Sequence, residues 1–263
     1  MNLNVCLVIP CYNEARRLPT REILDSLATN PWLTVCLVDD GSSDGTREVL
    51  EALNRERPDR VMVLPVEVNG GKAEAVRQGV LHVSRASRSE LIGYWDADLS
   101  TPLKDLNSLV SVLTSNRACV LALGSRVKRL GSSIDRQLWR HLTGRIFATF
   151  ASVISRLPVY DSQCGAKLFR RHAAAIVFRE PFVTQWLFDV EILVRLRNRY
   201  GLNTVLQAVN EVPLKTWIDV GGSKWRVKRL LGIPVDLLKI HLRYNAKQAP
   251  LAEAGLEARR NAS

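Results

Sequence analysis

The sequence predicts an α/β protein built on a mostly parallel sheet with helices on both faces. Two observations carry that expectation. Short apolar runs alternate with helix-period segments through the first 125 residues, the βαβα order that a parallel sheet requires. Two of those runs also end in clustered acids, Val38-Asp39-Asp40-Gly41-Ser42-Ser43-Asp44-Gly45 and Tyr94-Trp95-Asp96-Ala97-Asp98. Ligands in such folds bind beyond the carboxyl ends of the strands.

Residues 3–9 make the first strand, and Pro10 stops it because proline cannot donate to a ladder. Thr20 caps a helix that puts Ile23, Leu24 and Leu27 on one face. Residues 34–38 are the second strand, and Thr46 opens a helix with Val49, Leu50 and Leu53 inward. Residues 61–66 are the third strand. Residues 71–84 follow as a helix, with Ala73, Val76 and Val80 at helical spacing. Residues 91–95 are the fourth strand. Thr101-Pro102 sets a cap and a first-turn proline before a helix carrying Leu106, Leu109, Val110 and Leu113. Residues 118–123 are the fifth strand.

The rest is less regular. A basic helix spans 136–156 with Leu138, Leu142, Ile146 and Phe150 inward, and a polar turn lies at 161–165. A helix covers 188–200, and 205–214 adds a strand. An amphipathic basic segment over 224–244 is interrupted by Gly232 and Pro234, and the tail from 247 is polar and alanine-rich.

The net charge of +11 is unevenly spread: residues 1–125 carry 13 basic and 16 acidic side chains, residues 126–263 carry 24 and 10. A basic second half points to an anionic partner, either phosphate groups, an acidic membrane surface or nucleic acid. Nucleic acid is set aside, because no aromatic-interleaved basic ribbon, zinc-ligand spacing or helix-turn-helix signature accompanies the charge. Cys6, Cys11, Cys36, Cys119 and Cys164 are odd in number and include no Cys-x-x-Cys pair, so they read as buried thiols of a cytosolic protein. No apolar run approaches a membrane span, and the first residues lack the charged region of a secretory signal.

Asp96 and Asp98, one residue apart at a strand end, form a hard-oxygen claw for a divalent cation of the kind that holds a diphosphate. In Pro10-Cys11-Tyr12-Asn13-Glu14, Pro10 turns the backbone toward a ligand, Tyr12 offers an aromatic edge to a base, and Glu14 can accept from a ribose hydroxyl or base amide. After the second strand, an aspartate can accept from the ring N–H of uracil or guanine, while Ser43 or Asp44 caps the next helix. Asn69-Gly70-Gly71-Lys72 permits close backbone approach and brings Lys72 to a phosphate or base carbonyl, without the spacing of a full phosphate-binding loop.

In this order, Pro-x-Tyr-Asn-Glu, Val-Asp-Asp-Gly-Ser-x-Asp-Gly-Thr, Asn-x-Gly-Lys and Asp-Ala-Asp resemble the inverting GT-A glycosyltransferases. Three further stretches narrow the resemblance to dolichyl-phosphate β-glucosyltransferases: Asp161-Ser162-Gln163-Cys164-Gly165-Ala166-Lys167-Leu168-Phe169, Phe188-Asp189-Val190-Glu191, and Trp217-x-Asp219-x-Gly221-Gly222-Ser223-Lys224. The resemblance implies a GT-A, Rossmann-like domain over 1–225, with a nucleotide-sugar half at 1–125 and an acceptor half at 126–225. An amphipathic segment at 226–245 and a tail at 246–263 complete the chain. It implies Pro10, Tyr12, Glu14 and Asp39 around the uridine of UDP-glucose, with Asp40 and Lys72 close by. It implies Asp96 and Asp98 on Mg²⁺ or Mn²⁺ bridging the diphosphate. Related mannosyl enzymes carry a metal-binding glutamine two residues after the second aspartate; here that position is Ser100, which leaves a third protein ligand open.

Transfer to a hydroxyl needs a general base, whereas a lipid phosphate is already an oxyanion and needs positioning and charge screening. The basic second half favours a polyprenyl or dolichyl phosphate, with Arg126 and Arg136 nearest the phosphate and Lys167 third. Asp161 orients a cation, acts as a base, or braces the turn at 163–165. On a helix Asp189 and Glu191 point to different sides, so at most one faces the site: Asp189 can sit by the sugar, and Glu191 can pair with Arg195 four residues on. The segment 224–243 either lies on anionic lipid or packs on the core with basic exposed positions. The expectation is a cytoplasmic enzyme, peripheral to the inner face of the membrane. A soluble metal-dependent transferase acting on a hydroxyl is the alternative.

Overall fold

The computed structural model of the chain describes residues 3–130, 133–134, 152–218 and 227–244. Its first half alternates β1 (Val5–Cys11), α1 (Thr20–Thr29), β2 (Leu33–Asp40), α2 (Thr46–Glu56), β3 (Val61–Val66), α3 (Lys72–Ala86), β4 (Leu91–Trp95), α4 (Leu106–Ser115) and β5 (Leu121–Ser125). Then come β6 (Ser133–Ile134), β7 (Ala166–Arg170), α5 (Arg171–Val177), α6 (Phe188–Tyr200), α7 (Leu202–Ala208), β8 (Val209–Pro213), β9 (Thr216–Trp217) and α8 (Val227–Tyr244).

Seven strands form one sheet in the order β3-β2-β1-β4-β7-β5-β8, and β6 pairs with β9 separately. All neighbours in the large sheet are parallel except at β7, which runs antiparallel to both β4 and β5. The sheet is buried on both faces, so its strands read as continuous apolar runs. Along β1, Val5, Leu7 and Ile9 face the layer with α1 and α4, while Cys6 and Val8 face the layer with α3, α5 and α6. A third cluster joins Leu187, Val190 and Val194 of the α6 region to Leu237 and Ile240 of α8. The five cysteines are all buried and free.

Helix α3 crosses the sheet closely because position 79 is glycine. A Cβ there would lie 2.4 Å from Val8 Cγ1 and 2.8 Å from Val38 Cγ2. That close seat fixes the helix N-terminus, and with it Lys72, beside the ends of β1 and β4.

All five strands expected in the first half are present, with two corrections: Pro10 does not end β1, which runs on to Cys11 with Pro10 opposite Val38, and β5 begins at Leu121, three residues later than expected. The second half differs. β7 and α5 had no counterpart in the sequence reading, because Lys167 sits in mid-strand and breaks the apolar run. The strand expected over 205–214 begins as helix α7 and becomes extended only at Val209. α8 runs through Gly232 and Pro234 without a break. Its packing on α6 through Ile233, Leu237, Ile240 and Tyr244 offsets the backbone hydrogen bond that Pro234 removes. The helix expected over 136–156 lies mostly outside the described residues, and so does Arg136. Among the described residues no helix is long and apolar enough to cross a membrane.

Candidate active site

The carboxyl ends of β1, β2 and β4 open into a cleft of about 970 Å³. Pro10, Tyr12, Glu14, Asp40, Lys72, Asp96 and Asp98 all line it. Parallel neighbours end at the same edge, so three motifs far apart in sequence arrive together.

The loops after β1 and β2 are stitched to each other. The Asn13 N–H donates to Ser42 Oγ at 3.1 Å, and Asn13 Oδ1 accepts from the Ser43 N–H at 2.9 Å. Thr46 Oγ1 accepts from the Glu14 N–H at 2.8 Å. Gly45 is the N-cap of α2, and Asp44, expected as a cap, stands one residue before it with its Oδ1 accepting from the Thr46 N–H at 3.1 Å. Tyr12 is 48% exposed at the rim. Glu14 accepts from Arg17 through Oε1 at 2.7 Å, while its Oε2 is buried with no hydrogen-bond partner among the described residues. Burial pushes the Glu14 carboxyl above its ordinary range, against the pull of Arg17. A buried acceptor without a donor, aimed into a cleft, is suited to a ligand hydroxyl.

The adjacent aspartates of β2 have opposite fates, because successive strand side chains face opposite ways. Asp40 turns toward the cleft and clamps the next loop. Its Oδ1 and Oδ2 accept from the N–H groups of Gly70 and Gly71, both at 2.9 Å. Burial raises its carboxyl, and these two bonds pull it part of the way back. Gly41, at φ +67°, permits the contact, since a Cβ there would lie 2.8 Å from the Asn69 nitrogen. Asp39 instead turns away and is fully buried. Its Oδ1 accepts from the Ser42 N–H at 3.1 Å and its Oδ2 from Arg47 Nε at 3.0 Å. Asp39 does not line the cleft, so this structure does not display the expected uridine contact.

Asp96 and Asp98 stand at the end of β4. Lys72 Nζ lies 2.6 Å from Asp96 Oδ1. Burial lowers the Lys72 ammonium, but Asp96, Asp189 and Asp98 more than offset this, so it stays charged. Asp98 is open to the cleft mouth and accepts the Ser100 N–H at 2.9 Å. Desolvation and the neighbouring Asp96 push its carboxyl up. The two hard-oxygen carboxylates fit a divalent cation, which would share Asp96 with the Lys72 ammonium or displace it. The carboxylate of Asp96 also lies in a cradle on Gly165 that a Cβ would fill. No group of three or more His, Cys, Asp or Glu able to hold a metal occurs among the described residues, so the donor's own oxygens and water would complete the shell.

Outside the residues that line the cleft, Arg126 follows β5 and grips Asp161 with two bonds of 2.7 Å, from Nε and from an η nitrogen. The Arg126 N–H adds a third at 3.0 Å. Glu211 of β8 holds this turn by accepting the N–H groups of Tyr160 and Asp161 at 2.7 and 2.8 Å. The guanidinium sits 5.6 Å from the Trp217 ring. Burial works against its charge, but Asp161 holds it above the ordinary arginine value. Of the three roles open to Asp161, the geometry displays two: it orients the Arg126 cation, and its carbonyl accepts the Cys164 N–H at 3.4 Å within the turn. Ser125 Oγ, Ser162 Oγ and Gln163 Nε2 are buried in this region without partners among the described residues.

Lys167, expected at the acceptor phosphate, is fully buried. Its three N–H groups donate to the carbonyls of Ser162 and Cys164 and to Asp189 Oδ1, at 2.8, 2.7 and 2.6 Å. No donor is left for a ligand, so the geometry makes it a brace. Asp189 also accepts from the Tyr94 hydroxyl and is almost wholly buried. Glu191 points elsewhere and pairs with Arg195 at 2.7 Å, as the four-residue spacing anticipated.

Residues 6–178 match Glycosyl transferase family 2. The chain belongs to this family. It is 34% identical over 256 residues to the dolichyl-phosphate beta-glucosyltransferase of Homo sapiens, an alignment covering 90% of this chain and 75% of that one. A dolichyl-phosphate beta-glucosyltransferase of Trichomonas vaginalis is 33% identical over 250 residues, covering 89% and 72%. A solved glucosyl-3-phosphoglycerate synthase of Mycobacterium tuberculosis, in complex with Mn²⁺ and UDP-glucose, has a TM-score of 0.66 at 18% identity. That match covers 92% of this chain and 79% of the other, and it speaks for the GT-A fold.

In this glycosyltransferase, two sides of the cleft carry no local mark in the sequence. Val183, Thr184, Gln185 and Trp186, just before α6, close one side, and Gly232, Asp236 and Lys239 of α8 close another. Thr184 Oγ1 is buried there without a partner among the described residues. Only a tertiary contact brings these segments in, and no local pattern marks them.

Proposed function

We propose that this glycosyltransferase moves glucose from UDP-glucose onto a polyprenyl phosphate of the dolichyl type, with inversion, at the cytosolic face of a membrane. The observation that carries the reading is the state of the acceptor-side carboxylates. Asp161 is bonded to Arg126, and Asp189 to Lys167 and Tyr94. Neither is disposed to strip a proton from a sugar hydroxyl, and a phosphate oxyanion needs no such help. Arg126 is then the group that meets the acceptor phosphate, with Asp161 fixing its plane. Arg136 is assigned to the same phosphate on the strength of sequence alone.

On the donor side, Tyr12 stacks on the uracil, Glu14 Oε2 accepts a ribose hydroxyl, and Lys72 lies against the diphosphate. Mg²⁺ or Mn²⁺, held by Asp96 and Asp98, supplies screening of the charge that develops on the departing diphosphate. The lipid phosphate oxygen forms its bond to the anomeric carbon as the bond to UDP breaks. The donor names of the Mycobacterium tuberculosis structures and the acceptor names of the dolichyl-phosphate relatives support these identities. The outer side of α8 supports the membrane surface. Val235, Leu238 and Leu242 are each more than half exposed there, and Lys239, His241 and Arg243 lie on the same helix.

The test is a panel of nucleotide sugars incubated with and without polyprenyl phosphate, with release of nucleotide diphosphate as the readout. UDP release that needs both UDP-glucose and the lipid phosphate, and that stops on chelation, is the expected result. Asp98→Ala should lower that turnover roughly a thousandfold, the several kcal/mol a catalytic cation contributes. Turnover that survives both chelation and Asp98→Ala would sink the reading.

A further inference from the structure

The carboxylate of Asp96 occupies the space where a side chain at position 165 would have to be. A Cβ on Gly165 would lie 1.9 Å from Asp96 Oδ2 and 2.4 Å from Oδ1, well inside the 3.0 Å that real Cβ contacts respect. Gly165 also accepts the Asp96 N–H at 3.0 Å, so both the backbone and the side chain of Asp96 rest on one residue. That residue is itself held from beneath. Lys167 pins the carbonyls of Ser162 and Cys164 and ties them to Asp189 of α6. From the opposite side, Lys72 holds Asp96 Oδ1 at 2.6 Å.

We propose that Gly165 is a positioning residue for the cation site: the turn at 162–165 is a seat that sets the direction of the Asp96 carboxylate, and only glycine leaves room for it. The inference rests on the reading of Asp96 and Asp98 as the cation ligands. It means that the metal affinity of the donor cleft is set by a residue of the acceptor half. The same turn begins beside Asp161, which grips Arg126, so one braced segment fixes both the cation ligand and the acceptor-side arginine. Positioning groups behind a metal ligand commonly alter affinity by one to two orders of magnitude.

The experiment measures Mn²⁺ binding to the full chain in the presence of UDP, through the electron paramagnetic resonance signal of free Mn²⁺. Thermal unfolding is followed in parallel. Wild type, Gly165→Ala, Asp96→Ala and the double variant are compared. Gly165→Ala should bind Mn²⁺ on the order of 10–100-fold more weakly than wild type. In the Asp96→Ala background the same substitution should change neither Mn²⁺ binding nor Tm, because no carboxylate is left to collide with. If Gly165→Ala fails to fold while the double variant folds, the collision with Asp96 is again the cause and the inference stands. Wild-type Mn²⁺ affinity in Gly165→Ala would overturn it, and so would equal destabilisation of both backgrounds. Absence of Mn²⁺ binding by the wild type with UDP overturns instead the assignment of this cleft as a cation site.

Discussion

On the donor side of the cleft, Asp96, Asp98 and Lys72 stand at element ends and keep surface toward the ligand space. On the acceptor side, Lys167, Asp189, Glu191 and Arg195 are buried and bonded to one another in pairs. The first half is slightly acidic and the second strongly basic, yet among the described residues several cations of the basic half are spent on internal carbonyls. Arg170 donates to the Leu113 carbonyl at the end of α4 and to that of Cys119, at 2.7 and 2.8 Å. Arg171 reaches the carbonyls of Ser84 and Ser89 around the end of α3. Arg197 takes the carbonyls of Ile154 and Ser155, both at 3.1 Å. Cations near helix C-termini satisfy orphan carbonyls and complement the helix dipole. Sequence charge therefore has to be discounted by burial before it is read as a binding surface.

The largest expected effect separates the two uses of charge. Lys167→Met should cost about 3–5 kcal/mol of stability, because it leaves Asp189 charged and buried without its ammonium. Urea unfolding measures this. Adding Asp189→Asn should return part of the loss. If Lys167 were instead a ligand-facing cation, stability would hold and the KM for polyprenyl phosphate would rise alone.

Arg126 is the member of the basic half that the proposed function sets against the acceptor phosphate; its side chain is mostly buried and paired with Asp161. Arg126→Met should lower kcat/KM for the lipid phosphate on the order of a hundredfold, from the loss of one charged, partly desolvated contact. Asp161→Asn sharpens the point. An aspartate that only orients Arg126 should raise KM for the acceptor and leave the pH profile of kcat without a new acid limb. A flat loss of kcat with an altered acid limb would make Asp161 a base and erase the contrast between the two sides.

The parallel half was legible because its signals are local and its topology is simple. Each strand is a continuous apolar run, each motif sits at a strand end, and parallel pairing brings those ends together. Asp39 and Asp40 show the limit. The sequence marks both, but only the pleat decides which one faces the cleft. β7 stayed hidden because a buried lysine interrupts its apolar run, and the partners that make Lys167 tolerable, Asp189 and two carbonyls, lie in other segments. The cleft wall at 183–186 and on α8 is a long-range contact with no local pattern. Arg136 lies outside the described residues.

A smaller effect tests packing on the donor side, where α3 carries Lys72 to the site. Gly79→Ala should cost about 1–3 kcal/mol through overpacking against Val8 and Val38. If the donor side owes its geometry to that close crossing, the same variant should also raise KM for UDP-glucose, measured alongside urea unfolding. An unchanged KM at reduced stability would mean that Lys72 is held by Asp96 and not by the helix seat.

The smallest effect concerns Asp40, the donor-side carboxylate that is buried like those of the acceptor side but has only backbone partners. Burial raises its folded value above the ordinary 3.8. The folded chain then holds a proton at pH values where the unfolded chain has released it. Stability falls with rising pH wherever the native state binds more protons. The contribution of Asp40 therefore declines as pH rises from 3.8 through its folded value, and is constant above it. Asp40→Asn removes the titration while keeping one oxygen acceptor for the Gly70 and Gly71 N–H pair, so its penalty is a constant offset. The stability of wild type minus that of Asp40→Asn should fall across this window and then level, as read by urea unfolding at a series of pH values. A difference that grows with pH would mean that the two backbone N–H bonds outweigh desolvation. The Asp40 carboxylate would then be an anion held by its hydrogen bonds, and the contrast between the two sides of the cleft would narrow.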